Sequence, residues 1–443
     1  MNAVLISLLI VAGSPEGSWP GFLGVGAGPI SEKVPLSWSP EQGIAWQTAL
    51  PGYGQSSPIV WGGTAFVTSV EGPMKEKNHV LAVKLNNGEV LWQRSFDSTD
   101  KVESTGYVSR AAPTPVTDGK SVFAFFESGD VVALALDGNE LWKRSLPAEY
   151  GKFKTRHGLA ASPLLTDKGI VFLVDHEGPS FLLCLNKGTG ETLWKSDRKS
   201  RTSWSSPGLL KVGDREMIVC SSTGSVDGYD PATGEALWSF NDVGGNTSNT
   251  PLAFADGCFL VGASAGREAE AGGGKKSNLA IQVQHVDGKL TPSVLWASEA
   301  ASSSFGSPIV YADNAYFVSR TGVLYCLDAQ TGQERYTQRL KEPCWATPVG
   351  IGDRIYLFGK SGHTTVIATG AEFRILAESD LWKVDRNKAA EERPKTAEER
   401  PKNGDQKSSP AASSGPVLYG YALAGDRVIV RRGDRLYCIQ EDR

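Results

Sequence analysis

One phrase returns along this chain and narrows what it can fold into. "GEVLWQRSF" begins at Gly88, "GNELWKRSL" at Gly138, "GETLWK" at Gly190 and "GEALWSF" at Gly234. "GIAWQTAL" at Gly43 and "SVLWASE" at Ser293 are looser copies, and "GQERYTQRL" at Gly332 carries tyrosine in the tryptophan position. Ahead of these stands a second phrase that ends in proline, at Pro58, Pro115, Pro163, Pro207, Pro251, Pro308, Pro348 and Pro416. Between the two lie short alternating apolar runs separated by turn pairs such as "ADN", "RTG" and "NNG". Such pairs supply the positive φ that tight hairpins require. Each repeat therefore reads as four strands joined by turns, and four-stranded units repeated at this spacing specify an all-β propeller.

The number and closure of the blades follow from the ends. The last proline phrase is followed by three strands and no tryptophan phrase, whereas "GIAWQTAL" is a tryptophan phrase with no three strands before it. The N-terminal strand is expected to complete the last blade, giving eight four-stranded antiparallel blades in a ring without free edges. The aromatic positions Trp46, Trp92, Trp142, Trp194, Trp238, Trp296 and Tyr336, with Leu376 as the eighth, fall on the outermost strand of each blade. A large ring there covers the face of the neighbouring sheet.

Other features bound the function. With 45 Lys+Arg against 49 Asp+Glu, the chain offers no basic field for nucleic acid. The run from Ala3 to Ala12 followed by small residues reads, over residues 1–17, as a secretory signal too short to span a bilayer. The first cysteine is Cys184, so none follows that segment for lipidation. A mature chain outside the cytoplasm, periplasmic or secreted, with no transmembrane span and monomeric in isolation, is expected. Residues 18–443 form a single propeller, interrupted at about 384–414 by a charged stretch carrying "AEERPK" twice, which reads as a disordered loop. A second flexible loop is expected near residues 262–278. None of the six cysteines is spaced as CxxC, and three lie in matching apolar frames on separate repeats, so they read as small buried hydrophobes rather than bridges.

The repeat "DPATGEALW" (Asp230–Trp238) and "NKGTGETLW" (Asn186–Trp194), together with the opening "WPGFLG", resembles the tryptophan-docking repeat of the pyrroloquinoline quinone (PQQ) propellers, a group that includes quinoprotein alcohol dehydrogenases and the BamB-like scaffolds. The resemblance covers nearly the whole chain after Trp19 and implies fold more than activity. The dehydrogenase branch implies PQQ and calcium in the funnel, beneath an adjacent Cys-Cys disulfide. No two cysteines here are adjacent, and the loops before the prolines are poor in the oxygen ligands calcium requires. The expectation is accordingly a binding scaffold with no cofactor and no catalytic residue, with a PQQ- or metal-dependent oxidoreductase as the alternative.

The ligand-binding candidates come from placement. Loops entering the inner strands converge on one face of a propeller, and here they carry Arg110, Arg156, His157, Trp204, Asn246, Asn249, Phe305 and Trp345. Arginines, amides and aromatics around a concavity suit an anionic or peptide-like partner. The competing reading is that the inner-strand ends hydrogen-bond one another around the channel. No metal is expected; were one to bind, His157, Asp175 and His176 are the residues named for it by type.

Overall fold

The computed structural model describes residues 14–104, 108–264, 277–383 and 417–441. Among these residues the strands pair into eight four-stranded sheets, every one antiparallel and each a meander from the inner to the outer edge. Blade one consists of Ile59–Trp61, Thr64–Glu71, Lys77–Lys84 and Val90–Asp97. In blade eight, Leu418–Ala424, Arg427–Arg432 and Arg435–Ile439 are completed by the N-terminal strand Ile44–Ala49. The register pairs Trp46 with Cys438 and Thr48 with Leu436, so the ring closes as its ends require. The expected signal segment and both insertions lie largely or wholly outside the described residues, as does Pro416. No helix among the described residues is long and apolar enough to cross a membrane.

The middle strands of each blade are almost wholly buried, as in Ile170–Val174 and Ser180–Leu185 of blade three. Their alternating residues face the sheets on either side, which is why the core divides into clusters between adjacent blades.

A bulge recurs in the outermost pairing of all eight blades. In blade one, Ala82 pairs with Trp92 and Val83 with Val90, which leaves Leu91 unpaired. An extra residue of this kind re-aims the side chains around it. Leu91, Leu141, Leu193 and Leu295 are turned to solvent, while the adjoining tryptophans face the next blade. The "LW" pair thus encodes one residue outside and one inside.

The inward ring meets a glycine of the next blade. A Cβ on Gly88 would fall 2.7 Å from the Trp46 ring, and Gly138, Gly190, Gly234 and Gly332 stand in the same relation to Trp92, Trp142, Trp194 and Trp296. Each of these glycines has positive φ, so two constraints select it. The indole N–H of Trp46 donates to the Leu85 carbonyl at 2.8 Å, and those of Trp92, Trp142, Trp194 and Trp296 donate to carbonyls of the following blade in the same way.

Three positions depart from this scheme. Tyr336 faces Phe373 where other blades carry the glycine, and meets that ring edge-on at 5.7 Å. Trp238 has no such glycine ahead of it, because blade five carries Pro292 at the equivalent place. Its indole N–H is directed to Met217 Sδ of its own blade at 3.2 Å, and its ring stacks on Phe259 of blade five at 6.0 Å. In blade seven the expected position, Leu376, is corrected to Ala377. Val366 pairs with Ala377 and Ile367 with Ile375, so Leu376 is the bulged residue. Trp38, from the segment before the first strand, supplies the missing ring: it is buried against Gly43, and its backbone N–H donates to Ser379 Oγ.

All six cysteines are buried and free. Cys184, Cys326 and Cys438 pair across the outer strands with Trp194, Tyr336 and Trp46. That pairing explains their matching apolar frames. Burial pushes the thiols of Cys184, Cys220 and Cys438 up to about 12, which keeps them protonated and unreactive.

Candidate functional site

The residue before each proline is serine or threonine in seven of the eight phrases, and the structure gives the reason. The backbone N–H of Ser57 donates to Thr114 Oγ1, Thr114 to Ser162 Oγ, Ser162 to Ser206 Oγ, Ser206 to Thr250 Oγ1, Thr250 to Ser307 Oγ, and Ser307 to Thr347 Oγ1, all at 2.9–3.0 Å. Blades one to six each hand one hydrogen bond to the next around the axis. Beyond blade eight, Gly420 lies against Ser57, where a Cβ would fall 2.1 Å from its Oγ. These inner-strand ends are buried, so the girdle satisfies backbone donors that water does not reach. The competing reading of the entering loops therefore holds for this layer.

Above the girdle the same loops carry a second ring of contacts. Phe305, 52% exposed, meets Trp345 edge-on at 5.0 Å. Trp345 lies 6.0 Å from Tyr419, and Tyr419 lies 6.0 Å from Tyr53, with their hydroxyls 2.9 Å apart. The Arg110 guanidinium rests 3.7 Å above the Tyr53 ring, and the Lys360 ammonium 4.3 Å from the Trp345 ring. Stacking of this kind holds a cation without neutralising it. The ring continues through Ser109, whose N–H donates to the His157 carbonyl, and through the His157–Trp204 contact at 5.8 Å. Trp204 donates its indole N–H to the Gly158 carbonyl and its backbone N–H to that of Thr247. Asn249 then bonds the carbonyls of Ser304 and Gly306, which returns the circuit to Phe305.

The candidate residues thus share one face, but they are not equivalent. Phe305, Trp345, Arg110, His157 and Trp204 are at least partly exposed, and Arg156 is exposed beside a small pocket that also reaches Lys75 and Glu127. Asn246 and Asn249 are buried. Asn246 donates to Ser221 Oγ and to the carbonyls of Ser222 and Ser225, holding the hairpin of blade four. Among the metal candidates, Asp175 receives two bonds from the Arg198 guanidinium at 2.8 and 3.0 Å, a pair fully shielded from solvent. His176 accepts backbone N–H groups of Lys154 and Gly178 at Nδ1, and burial holds its imidazole below the usual range. No grouping of three His, Cys, Asp or Glu side chains suited to a metal ion occurs among the described residues.

Four participants were not legible as such. Tyr53 lies in "PGYGQSSP" and Tyr419 follows a proline phrase rather than preceding it. Lys360 belongs to a turn between middle strands. Arg431 is wholly buried beneath the two tyrosines, bonds only the Gly433 carbonyl, and is pushed down to about 9 by that burial. Arg110, Lys360 and Arg431 place three cations along the Tyr53–Tyr419–Trp345 arc, with no carboxylate in ion-pair contact among the described residues.

A family model described as outer membrane protein assembly factor BamB matches residues 36–208, 152–270 and 282–397. The chain belongs to the BamB-like propeller family. Curated BamB proteins align over part of their length: that of Moranella endobia is 29% identical over 172 residues, 39% of this chain and 38% of its own. The Escherichia coli protein is 28% identical over 168 residues, 37% of this chain and 38% of its own. Among solved structures, BamB from Moraxella catarrhalis superposes with a TM-score of 0.58 at 14% identity, covering 90% of this chain and 97% of that one. A europium-containing methanol dehydrogenase superposes with a TM-score of 0.61 at 12% identity, covering 94% and 90%. At such identities the likeness is one of fold, which does not by itself carry an activity.

Proposed function

We propose that this BamB-like protein is an extracytoplasmic binding scaffold that works without a cofactor, and that its entering-loop face docks a protein partner of outer membrane assembly. One observation carries the reading: the arc Phe305–Trp345–Tyr419–Tyr53–Arg110 joins five blades and offers exposed aromatic surface beside stacked cations. Aromatic and arginine side chains on a rigid frame are the groups that dominate protein interfaces. The girdle beneath fixes the spacing of the loops, so little ordering cost attends docking. The BamB relatives bear the name of outer membrane protein assembly factors.

A PQQ-dependent oxidoreductase is the second reading, favoured by the likeness in fold to a methanol dehydrogenase. The residues present do not fit that cofactor. The six cysteines are separate and free, and the acidic side chains nearest the face are spent on Lys75 and on the Ser361 and His363 backbone.

The test is site-specific photo-crosslinking in the native envelope, with a photoreactive phenylalanine at position 305 and a control at the exposed outer-strand position Val294. A defined envelope protein is expected to crosslink from 305 alone, and to be lost in an Arg110→Ala/Lys360→Ala variant. Equal labelling from both positions sinks the docking reading. Stoichiometric quinone uptake with calcium, coupled to alcohol-dependent dye reduction, would establish the enzyme instead.

A further inference from the structure

A cavity of about 410 Å³ lies on the propeller axis and opens on the side opposite the entering loops. Its volume is within the range of about 300–1,000 Å³ usual for small-molecule sites. Its inner end is the hydroxyl girdle, represented by Ser206, Thr250 and Thr347. Its walls are the inner strands, where Val116, Leu164, Leu252, Ile309 and Val349 follow their prolines directly and Leu209 stands one residue further on. From Ser206 or Thr250 to the far ends of their strands at Val212 and Ala255 the chain rises five to six residues, roughly 17–20 Å. A tall, narrow, apolar shaft gives water few hydrogen-bond partners, and such space is filled better by hydrocarbon.

The far mouth has two further features. The chain between Ser14 and Ile30 runs across it, fixed by paired backbone bonds between Trp19 and Val60 and by the Thr117 N–H to the Pro20 carbonyl. At the centre of this strap Leu23 has φ 56° within a short 3-10 turn, and it borders the cavity with Phe22. A leucine in the left-handed region is strained, and strain of this kind concentrates at ligand clamps. The rim beside the strap carries Asp118, Asp167 and Glu216 against a single Lys187. Burial and the neighbouring Asp167 raise the Glu216 carboxyl above its usual range against the opposing pull of Lys211.

We propose that the axial cavity is a binding site for one amphiphile with an unbranched apolar body and a cationic head, the body lying along the shaft and the head held at the Asp118–Asp167–Glu216 rim. The site is on the opposite face from the docking arc and does not depend on it.

The test uses the full chain with a neutral apolar fluorophore, N-phenyl-1-naphthylamine, displaced by dodecyltrimethylammonium, decyltrimethylammonium or dodecanoate below their micelle concentrations. Saturable displacement at one site per chain is expected, weaker by about tenfold for the decyl than for the dodecyl compound, with dodecanoate weaker than the dodecyl ammonium. Leu252→Trp, which fills the shaft, is expected to abolish uptake with an unchanged thermal melt. Should that variant fail to fold, the rim variant Asp167→Lys/Glu216→Lys lies outside the core and is expected to invert the head-group preference. Absence of saturable displacement overturns the proposal, as does uptake that survives Leu252→Trp or a head-group preference that the rim variant leaves unmoved. Uptake that appears only after deletion of residues 2–13 also overturns it, since the chain's own N-terminus would then be the occupant.

Discussion

The backbone N–H of Trp38 donates to Ser379 Oγ at 3.0 Å, joining residues at opposite ends of the chain on the seam between blades seven and eight. Blade seven has only Ala377 where other blades present an aromatic ring. Trp38 is buried in the cluster that Ala377 packs against, so the seam is sealed by a residue outside every strand. Trp38→Ala is expected to cost about 3–5 kcal/mol, the range for removing a buried aromatic. Denaturant midpoints for Trp38→Ala and Trp46→Ala should therefore fall together. A Trp38 variant as stable as the parent would show that the seam is sealed by something else.

Trp46 and Trp238 are both buried, yet their indole N–H groups meet different acceptors, the Leu85 carbonyl and the Met217 thioether. Losing a donor to a buried carbonyl leaves that carbonyl unsatisfied, at about 1–3 kcal/mol. A thioether is a weak acceptor and loses less, below about 1 kcal/mol. Trp46→Phe should consequently destabilise more than Trp238→Phe in equilibrium unfolding. The reverse order would mean that ring volume, not the N–H, governs both positions.

Much of this architecture was legible because the repeat writes its own constraints. The proline phrases mark the inner strands, the aromatic phrases mark the outer ones, and the unmatched ends announce the shared blade. What escaped reading depends on contacts between distant segments. Leu376 looks like the eighth aromatic position in the frame "ILAES" because the bulge that displaces it is a backbone event with no residue signature of its own. Trp38 cannot be assigned to blade seven without knowing which segment crosses the seam. At the candidate site, loop placement brought Phe305, Trp345 and Arg110 together, but amides resemble ligand groups whether they face a funnel or a hairpin. Asn246 and Asn249 are consumed by buried carbonyls, and only coordinates distinguish the two fates. Tyr53 and Tyr419 hide because one stands well before its proline and the other after.

The bulge also predicts tolerance. Leu193 is 46% exposed although its neighbour Trp194 is buried. Leu193→Lys should change stability by no more than about 0.5 kcal/mol, as for an ordinary surface site. A loss of several times that in thermal or denaturant unfolding would show that the bulged leucines cover the adjoining blade.

The girdle offers a test of ring closure. Ser162 accepts the Thr114 N–H at Oγ and gives its own N–H to Ser206. Ser162→Ala strands the Thr114 donor in a buried layer, at about 1–3 kcal/mol, whereas Ser162→Thr retains the acceptor, as Thr114 and Thr250 do elsewhere in the circle. Amide hydrogen exchange at Thr114 should accelerate in the alanine variant and not in the threonine one. Equal exchange in both would mean that the bond does not protect the blade junction.

His176 ties the stability of the entering-loop face to pH. Its Nδ1 accepts from the backbone of Lys154 and Gly178 and therefore bears no proton, and Phe153 packs beside the ring at 5.2 Å. Burial lowers its affinity for a proton in the folded state. Below the ordinary histidine value of about 6.5, the unfolded chain takes up a proton that the folded chain resists. The stabilisation is fully present above that value and is lost as pH falls toward the lower folded value. The loop released first is the one carrying Arg156 and His157, since Lys154 anchors it. Denaturant midpoints measured between pH 7.5 and pH 5 should fall in the parent and fall less in His176→Asn, whose amide oxygen offers the same acceptor without titrating. Parallel slopes in the two proteins would assign the acid sensitivity to other groups, with the buried His79 next in line because burial lowers it in the same way.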